Sequence, residues 1–369
     1  MFDVVIDSRM VWHSGIGTYL RNLLPAVTGA FRTALLGDPE TLSQFPWSAQ
    51  AEILPATAPI YSPQEQWELI RRIPPSRLLW SPHFNVPLLP VRSHTRLVTI
   101  HDVFHLAFAG ELSLPKRLYA RLLINQAVRT SQRILTVSHF SKRELIRLAN
   151  APEANITVIY NGIDHHHFKP LERAQCRPIA ERYHLPQNFF LFVGNVKPHK
   201  NLSRLVQAFF LAAEQLPDWH LVVIGKTEGF ITTDTTVRRQ VEQHPQLAQR
   251  VHFLGEVPYQ ELPQFYNLAS AFIFPSYYEG FGLPPLEAMA CGCPVAAARA
   301  ASIPEVCGNA ALYFDPFSIP EISAALVRIA RDKALQETLI RTGFQQVNRF
   351  QWAESQQQTI AVIQALLSQ

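Results

Sequence analysis

The chain has 369 residues, a length that suggests about two to three domains. Apolar residues make up 47% and charged residues 17%, too hydrophobic for a disordered chain and enough for a large core. The net charge of +4 is too small to imply a nucleic-acid partner, and no apolar run approaches the ~18 residues of a membrane span.

The start of the chain, Met1-Phe2-Asp3, lacks the basic n-region and apolar core of a secretory signal. Four cysteines, Cys176, Cys291, Cys293 and Cys307, show neither metal-ligand spacing nor a disulfide framework. A reducing, cytoplasmic setting is therefore expected.

Short β-rich runs alternate with helical patterns along the chain. The predicted strands of the first half are Phe2–Asp7, Arg32–Leu36, Arg77–Trp80, Arg96–His101, Arg133–Val137 and Ile156–Tyr160. Helical patterns lie between them over 17–27, 115–129 and 141–150. The second half repeats the rhythm. Strands are predicted at Phe189–Val193, Leu221–Ile224, Val251–Leu254, Ala271–Phe274, Val295–Ala298 and Leu312–Phe314, with helices at 201–216 and 236–249 among those between.

Alternating βα units imply an α/β fold with parallel sheets covered by helices on both faces. Two such series need a boundary. The Asn161-Gly162 turn, a histidine run and Pro170, Pro178 and Pro186 place the linker near 165–180. The expected domains are 1–170 and 171–352, with a terminal helix at 353–369 that packs back on one of them. Two doubly wound domains facing each other would leave a cleft at their strand C-terminal ends, where open α/β sheets bind ligands.

The most informative segment runs from Pro275 to Val295. A buried strand leads into a glycine-containing loop, and a helix is predicted to begin at Pro284, where a missing N–H costs little. Gly292 and Pro294 end it. A loop at a helix N-terminus is an anion site, because its amides point outward and the helix dipole favours negative charge. Pro284 and Pro285 have no N–H, so the donors are the amides of Gly280, Phe281, Gly282 and Leu283. Glu279 precedes the loop and Glu287 sits one turn into the helix. An ionised carboxylate offers acceptors only, which suits it to sugar hydroxyls and a ribose diol. Each glutamate taken alone is equally consistent with a solvated or helix-dipole role.

Glu279 to Val295 resembles the E-x7-E signature of retaining glycosyltransferases of family 4, which have the GT-B fold of two Rossmann-like doubly wound domains. The likeness extends along nearly the whole chain. It includes Gly15-Ile16-Gly17-Thr18-Tyr19, Ser81-Pro82-His83-Phe84, Thr99-Ile100-His101-Asp102, Thr136-Val137-Ser138, Tyr160-Asn161-Gly162-Ile163-Asp164 and Val193 to Asn201. Ile303-Pro304-Glu305-Val306 and Phe314-Asp315-Pro316 also match. Within the family the chain is most similar to bacterial mannosyltransferases of polysaccharide or glycolipid assembly.

The resemblance implies a role for each matching residue. Gly280 to Leu283 would bind the donor diphosphate, Glu279 the donor sugar, and Glu287 the ribose. Lys200 corresponds to the lysine of a basic pair that neutralises the phosphates. The arginine of that pair is replaced here by Asn195, leaving Lys197 as the candidate second charge. Preorganised cations and amides lower the barrier as a nucleoside diphosphate leaves. Gly15 and Gly17 would form a loop facing the phosphate and acceptor. The third glycine of a dinucleotide fingerprint is absent, with Leu20 in its place, which argues against NAD. His101 and Asp102 end a strand near the reacting sugars, and Lys226 would approach the nucleotide. No cofactor is expected. The family is generally metal-independent, and His165-His166-His167 reads as linker because adjacent extended residues point to alternate sides.

Residues 111–150 hold eight Lys/Arg against two acids, a balance of 8 − 2 = +6. This stretch suits either a solvated face or an anionic membrane surface, where each basic residue adds ~1 kcal/mol. The resulting expectation is a retaining hexosyltransferase acting at or near the inner membrane face. Mannose from GDP-mannose is the favoured donor, and a saccharide or lipid-linked saccharide the acceptor. Front-face attack assisted by the leaving phosphate is the expected mechanism, with domain closure excluding water. A UDP-sugar donor and a catalytically silent nucleotide-sugar-binding scaffold are the alternatives. The E-x7-E stretch argues against a sugar-nucleotide epimerase or a glycogen-type phosphorylase.

Overall fold

The computed structural model of the chain describes residues 1–226 and 236–369. The chain divides into two compact units, Met1–Gly162 with Gln351–Gln369, and Ile163–Phe350.

The first unit is built on seven parallel strands: β1 (Phe2–Asp7), β2 (Thr33–Gly37), β3 (Ala51–Pro55), β4 (Ser76–Ser81), β5 (Ser93–Thr99), β6 (Arg133–Thr136) and β7 (Ile156–Val158). Their order in the sheet is β3-β2-β1-β4-β5-β6-β7. The central strand β1 carries Val4, Val5 and Ile6, all fully buried. An unbroken β-branched run of that kind fits a strand covered on both faces. It pairs with β2 through Ile6↔Leu35 and with β4 through Ile6↔Trp80.

The second unit repeats the plan with six parallel strands: β8 (Phe189–Val193), β9 (His220–Ile224), β10 (Val251–Gly255), β11 (Ala271–Phe274), β12 (Val295–Ala298) and β13 (Ala311–Phe314). Their order is β10-β9-β8-β11-β12-β13. In each sheet the first strand lies beside the fourth, so the winding direction reverses between β1 and β4 and again between β8 and β11. These are the topological switch points at which open α/β sheets bind ligands.

The predicted strands are present, but several details differ. The helix after β1 spans Ser14–Ala30, three residues longer at its start than the pattern indicated. Gly15 and Gly17 therefore lie in its first turn rather than in a loop. A Cβ at Gly17 would stand 2.5 Å from the Val11 carbonyl oxygen, so glycine lets this turn pack against the preceding chain. The helix predicted over 236–249 is two pieces, Thr236–Gln243 and Pro245–Ala248, because Pro245 cannot continue the hydrogen-bond ladder. Strand β3 and the helix Pro63–Arg72 are not among the predicted elements. Strand β5 spans Ser93–Thr99 rather than the predicted Arg96–His101, which leaves His101 in the following loop.

The terminal helix Trp352–Leu367 belongs to the first unit. Ser355 Oγ donates to the Tyr160 carbonyl at 2.6 Å and Gln356 Nε2 to the Asn22 carbonyl at 2.7 Å. Gly162 makes this return possible. A Cβ there would lie 2.1 Å from the Trp352 nitrogen, a distance no side chain tolerates. Gly162→Ala is therefore expected to destabilise the protein by about 2 kcal/mol or more. Gly15→Ala, with nothing within 4 Å of its Cβ, should be neutral or slightly stabilising. Denaturant midpoints check both, and equal midpoints would refute the packing argument.

Candidate active site

In the second unit, β8 and β11 are hydrogen-bonded neighbours, with Phe190 paired to Ala271 and Leu191 to Phe272. The chain leaving β8 forms a short 3-10 turn, Pro198–Lys200, before the helix Leu202–Ala212. Asn201 joins them in a left-handed conformation, φ +61°. Its buried side-chain amide donates to the carbonyls of Pro275 at 3.1 Å and Pro316 at 2.7 Å. The Tyr277 amide donates to the His199 carbonyl at 3.0 Å. The Pro275 and Tyr277 bonds fasten the turn after β8 to the chain after β11, the Pro316 bond ties it to the chain after β13, and Lys200 is so placed opposite Glu279.

Lys200 Nζ and Glu279 Oε1 are 2.6 Å apart, with side chains 19% and 14% exposed. At that burial the pair is only weakly screened by solvent. The ammonium also stands 5.7 Å from the centroid of the Phe274 ring. Ser302 Oγ lies 2.9 Å from the Glu279 carbonyl and 2.8 Å from that of Phe281, sharing one hydroxyl hydrogen between them. The loop Gly280 to Leu283 is thus held from a third side.

The helix after this loop spans Leu283–Ala290, one residue earlier than predicted, with Gly282 as its N-cap. Gly282 has φ +103°, which favours glycine over any side chain. Pro284 and Pro285 fall in the first turn, so the outward-facing amides of this terminus come from the loop before them. Glu287 follows on the buried side. Its Oε2 accepts from the Tyr266 hydroxyl at 2.8 Å. Burial pushes its carboxyl up from the ordinary value to about 7, against the smaller lowering effect of the Tyr266 bond.

The other sequence-predicted residues of this unit divide. Asn195 Oδ1 accepts from the Lys226 backbone amide at 3.3 Å, and the Val196 amide donates to the Lys226 carbonyl at 2.9 Å. Asn195 therefore joins the loops after β8 and β9, a structural task in place of the missing arginine charge. The Lys226 ammonium pairs with Glu256 at 3.1 Å, both more than half exposed, a contact worth little. Lys197 sits at the start of the 3-10 turn and accepts from the Lys200 amide through its carbonyl. His167 stacks on Tyr259 with ring centroids 4.5 Å apart, so the histidine run packs as structure. Tyr266 and Ser302 went unread. No linear pattern marks them, because each acts on a residue distant in sequence.

In the first unit, His101 Nε2 donates to the Pro82 carbonyl at 3.0 Å, and its ring meets Tyr19 edge-on with centroids 4.8 Å apart. Burial lowers the His101 pKa despite the Pro82 bond and the nearby Asp102 carboxylate, so the ring is neutral at pH 7. Asp102 Oδ1 accepts from the Phe104 amide at 2.9 Å, which closes the turn after the strand.

Comparison with known proteins agrees with this architecture. Residues 180–346 match the family described as Glycosyl transferases group 1, and residues 56–167 match Glycosyltransferase Family 4. The chain is 32% identical over 273 residues to O-antigen chain mannosyltransferase B of Escherichia coli, covering 74% of this chain and 71% of that one. It is 30% identical to O-antigen chain mannosyltransferase RfbU of Salmonella typhimurium, over 65% of this chain and 61% of that one. A solved sucrose-phosphate synthase from Thermosynechococcus elongatus shares the fold at TM-score 0.80 and 21% identity, over the full length of both chains. The protein belongs to the group 1 and family 4 glycosyltransferases and is a glycosyltransferase enzyme with the GT-B fold.

The Glu287 environment gives a pH prediction. Its folded value near 7 lies above the ordinary 4.5, so the folded state holds the proton more tightly than the unfolded chain. Stability contributed by that proton is lost as pH rises from about 4.5 to about 7 and stays lost above it. Glu287→Gln, which keeps an acceptor for Tyr266, should therefore raise the thermal midpoint more at pH 8 than at pH 5. If Glu287 accepts from a ribose diol, as the resemblance implies, the ionised carboxylate is the better acceptor, and GDP or UDP affinity should fall about three- to tenfold from pH 8 to pH 6. Titration calorimetry on both proteins checks this. An equal slope in Glu287→Gln would sink the assignment.

Proposed function

We propose that the protein is a retaining hexosyltransferase that moves mannose from GDP-mannose to a hydroxyl of a saccharide or lipid-linked saccharide, in cell-surface polysaccharide or glycolipid synthesis. The observation that carries this reading is the Lys200–Glu279 pair set beside the amide-bearing start of the helix Leu283–Ala290. A diphosphate brings negative charge, which the Lys200 ammonium and the loop amides are placed to take up. Glu279 then exchanges its bond to Lys200 for hydroxyls of the donor sugar, and Glu287 accepts from the ribose. The mannosyltransferase relatives support mannose as the hexose.

In this reaction the bond between the anomeric carbon and the diphosphate oxygen breaks. The acceptor oxygen forms its bond on the same face, and its proton passes to the departing phosphate oxygen. No covalent enzyme intermediate is needed. Lys200 and the loop amides take the charge that a divalent cation neutralises in other transferases. His101, neutral and with Nε2 committed to Pro82, offers Nδ1 to accept from a sugar hydroxyl.

A test begins with ligand-induced thermal shift. GDP-mannose should raise the midpoint more than UDP-glucose or UDP-N-acetylglucosamine. A larger shift with a UDP-sugar would move the donor assignment to that sugar. Lys200→Ala and Glu279→Ala should each lower kcat/KM for transfer at least about a hundredfold while the fold is retained. Unchanged turnover would leave only a nucleotide-sugar-binding scaffold.

The reading includes a membrane surface. On the helix Leu114–Thr130, Leu114, Leu118 and Leu122 recur every four residues and are 65%, 59% and 52% exposed. Lys116, Arg117 and Arg121 are exposed on the same segment, while Leu123, Ile124 and Ala127 face the core. Among the described residues no helix is long and apolar enough to cross a membrane. Leucines flanked by cations fit the boundary of an anionic bilayer. Vesicles containing phosphatidylglycerol should float the protein at low salt. Replacing the three leucines by serine should abolish flotation without changing the thermal shift by donor. Absence of flotation by the unaltered protein would end the idea.

A further inference from the structure

A glutamate that reads a hydroxyl must hold an oxygen in a fixed direction, yet the terminal torsion of its side chain is broad and two-fold. Lys200 fixes Glu279. Glu287 is buried and, among the described residues, forms no ion pair. Its orientation rests instead on the Tyr266 hydroxyl, which donates to Oε2 at 2.8 Å.

Tyr266 is itself held. It lies on the helix Leu262–Leu268 with none of its surface exposed. Its ring meets Phe168 and Phe272 edge-on, with centroids 6.0 Å and 5.4 Å away. Close packing of this kind leaves a side chain in one rotamer. Burial raises the phenol well above its ordinary pKa, so the hydroxyl keeps its proton and is the donor. The nearby thiols of Cys291 and Cys293 are pushed up by burial too and stay neutral. Among the described residues, Tyr266 is thus the one group around Glu287 that favours its ionised form.

A carboxylate is planar and rigid, so a bond that fixes Oε2 also fixes Oε1. We propose that Tyr266 is a positioning residue of the nucleotide site: its hydroxyl holds Oε2 of Glu287 inward and thereby aims Oε1 at a ribose hydroxyl of the donor. The inference rests on the reading of Glu287 as the ribose ligand. A hydrogen bond to the charged form favours that form, so Tyr266 also widens the pH range over which Glu287 accepts. Loss of the hydroxyl frees the carboxyl to turn and raises the pH at which it ionises. The cost falls on nucleotide binding rather than on the bond-breaking step, because the diphosphate and the hexose are held by other groups.

The experiment uses Tyr266→Phe, which removes the hydroxyl and keeps the ring. Binding of GDP and of UDP is measured by titration calorimetry from pH 6 to pH 9, with Glu287→Gln and the double variant alongside. For the nucleotide that binds more tightly, Tyr266→Phe should lower affinity about three- to tenfold at pH 7, and less at pH 9. In the Glu287→Gln background the same change should alter affinity less than about twofold at every pH. Donor KM at pH 7 should rise with the loss of affinity while kcat changes less than about twofold. The carboxyl is followed directly by NMR with glutamate labelled with 13C at Cδ. The resonance absent from Glu287→Gln should titrate about one pH unit higher in Tyr266→Phe. Global 3-fluorotyrosine, a stronger hydrogen-bond donor, should move that titration the other way, and it decides the matter if Tyr266→Phe does not fold.

An unshifted Glu287 titration, a loss of affinity equal at all pH values, or an equal loss in the Glu287→Gln background would overturn the role of Tyr266 alone, since a tyrosine that only fills space gives these results. Nucleotide affinity that is the same in Glu287→Gln as in the unaltered protein would overturn the ribose reading, and with it the aim of Oε1.

Discussion

An all-parallel sheet must carry every connection over one of its faces, and where the winding reverses no connection covers the strand ends. That constraint decides where this protein can do chemistry. Between β8 and β11 the two outgoing chains diverge to opposite faces and leave backbone and side chains uncovered at their start. Lys200 comes from one of these chains and Glu279 from the other. Their bond spans the gap the topology creates, and Asn201 braces it from beneath with two carbonyl contacts.

The ion pair also explains how a charged pocket is kept in order without its ligand. An ammonium at 19% exposure, left alone beside outward amides, would lose hydration and gain nothing in return. Glu279 supplies the missing charge. In the proposed reading a diphosphate, carrying more negative charge than one carboxylate, takes the place of Glu279 at the ammonium. At Glu287 the Tyr266 bond holds one oxygen, while burial favours the protonated carboxyl more than water does.

Which of these features a sequence can show follows from their range. The strands β1, β8 and β11 are short β-branched or aromatic runs closed by turn residues, and period alone exposes them. The loop and helix from Glu279 to Ala290 form one contiguous segment, so its anion-binding character is readable from glycine, proline and glutamate spacing. Lys200 and Glu279 are 79 residues apart, and only the family resemblance joined them in advance. Glu65 illustrates the opposite case. It lies in a helix outside the predicted elements, and its role comes from Arg9, Asn85 and Tyr119, none of them near it in sequence. Likewise, Gly15 and Gly17 look like loop residues because glycine usually marks turns. What the chain required at Gly17 was room for the Val11 carbonyl, and a packing demand leaves no periodic trace.

The two switch points have the same topology and opposite electrostatics, and this difference constrains what each can hold. Beside β8, the Lys200 ammonium and the start of a helix bring positive potential to the Glu279 carboxylate. Beside β1, Asp7 and Glu65 outnumber Arg9, and the excess is negative. A phosphate is attracted to the first and repelled by the second.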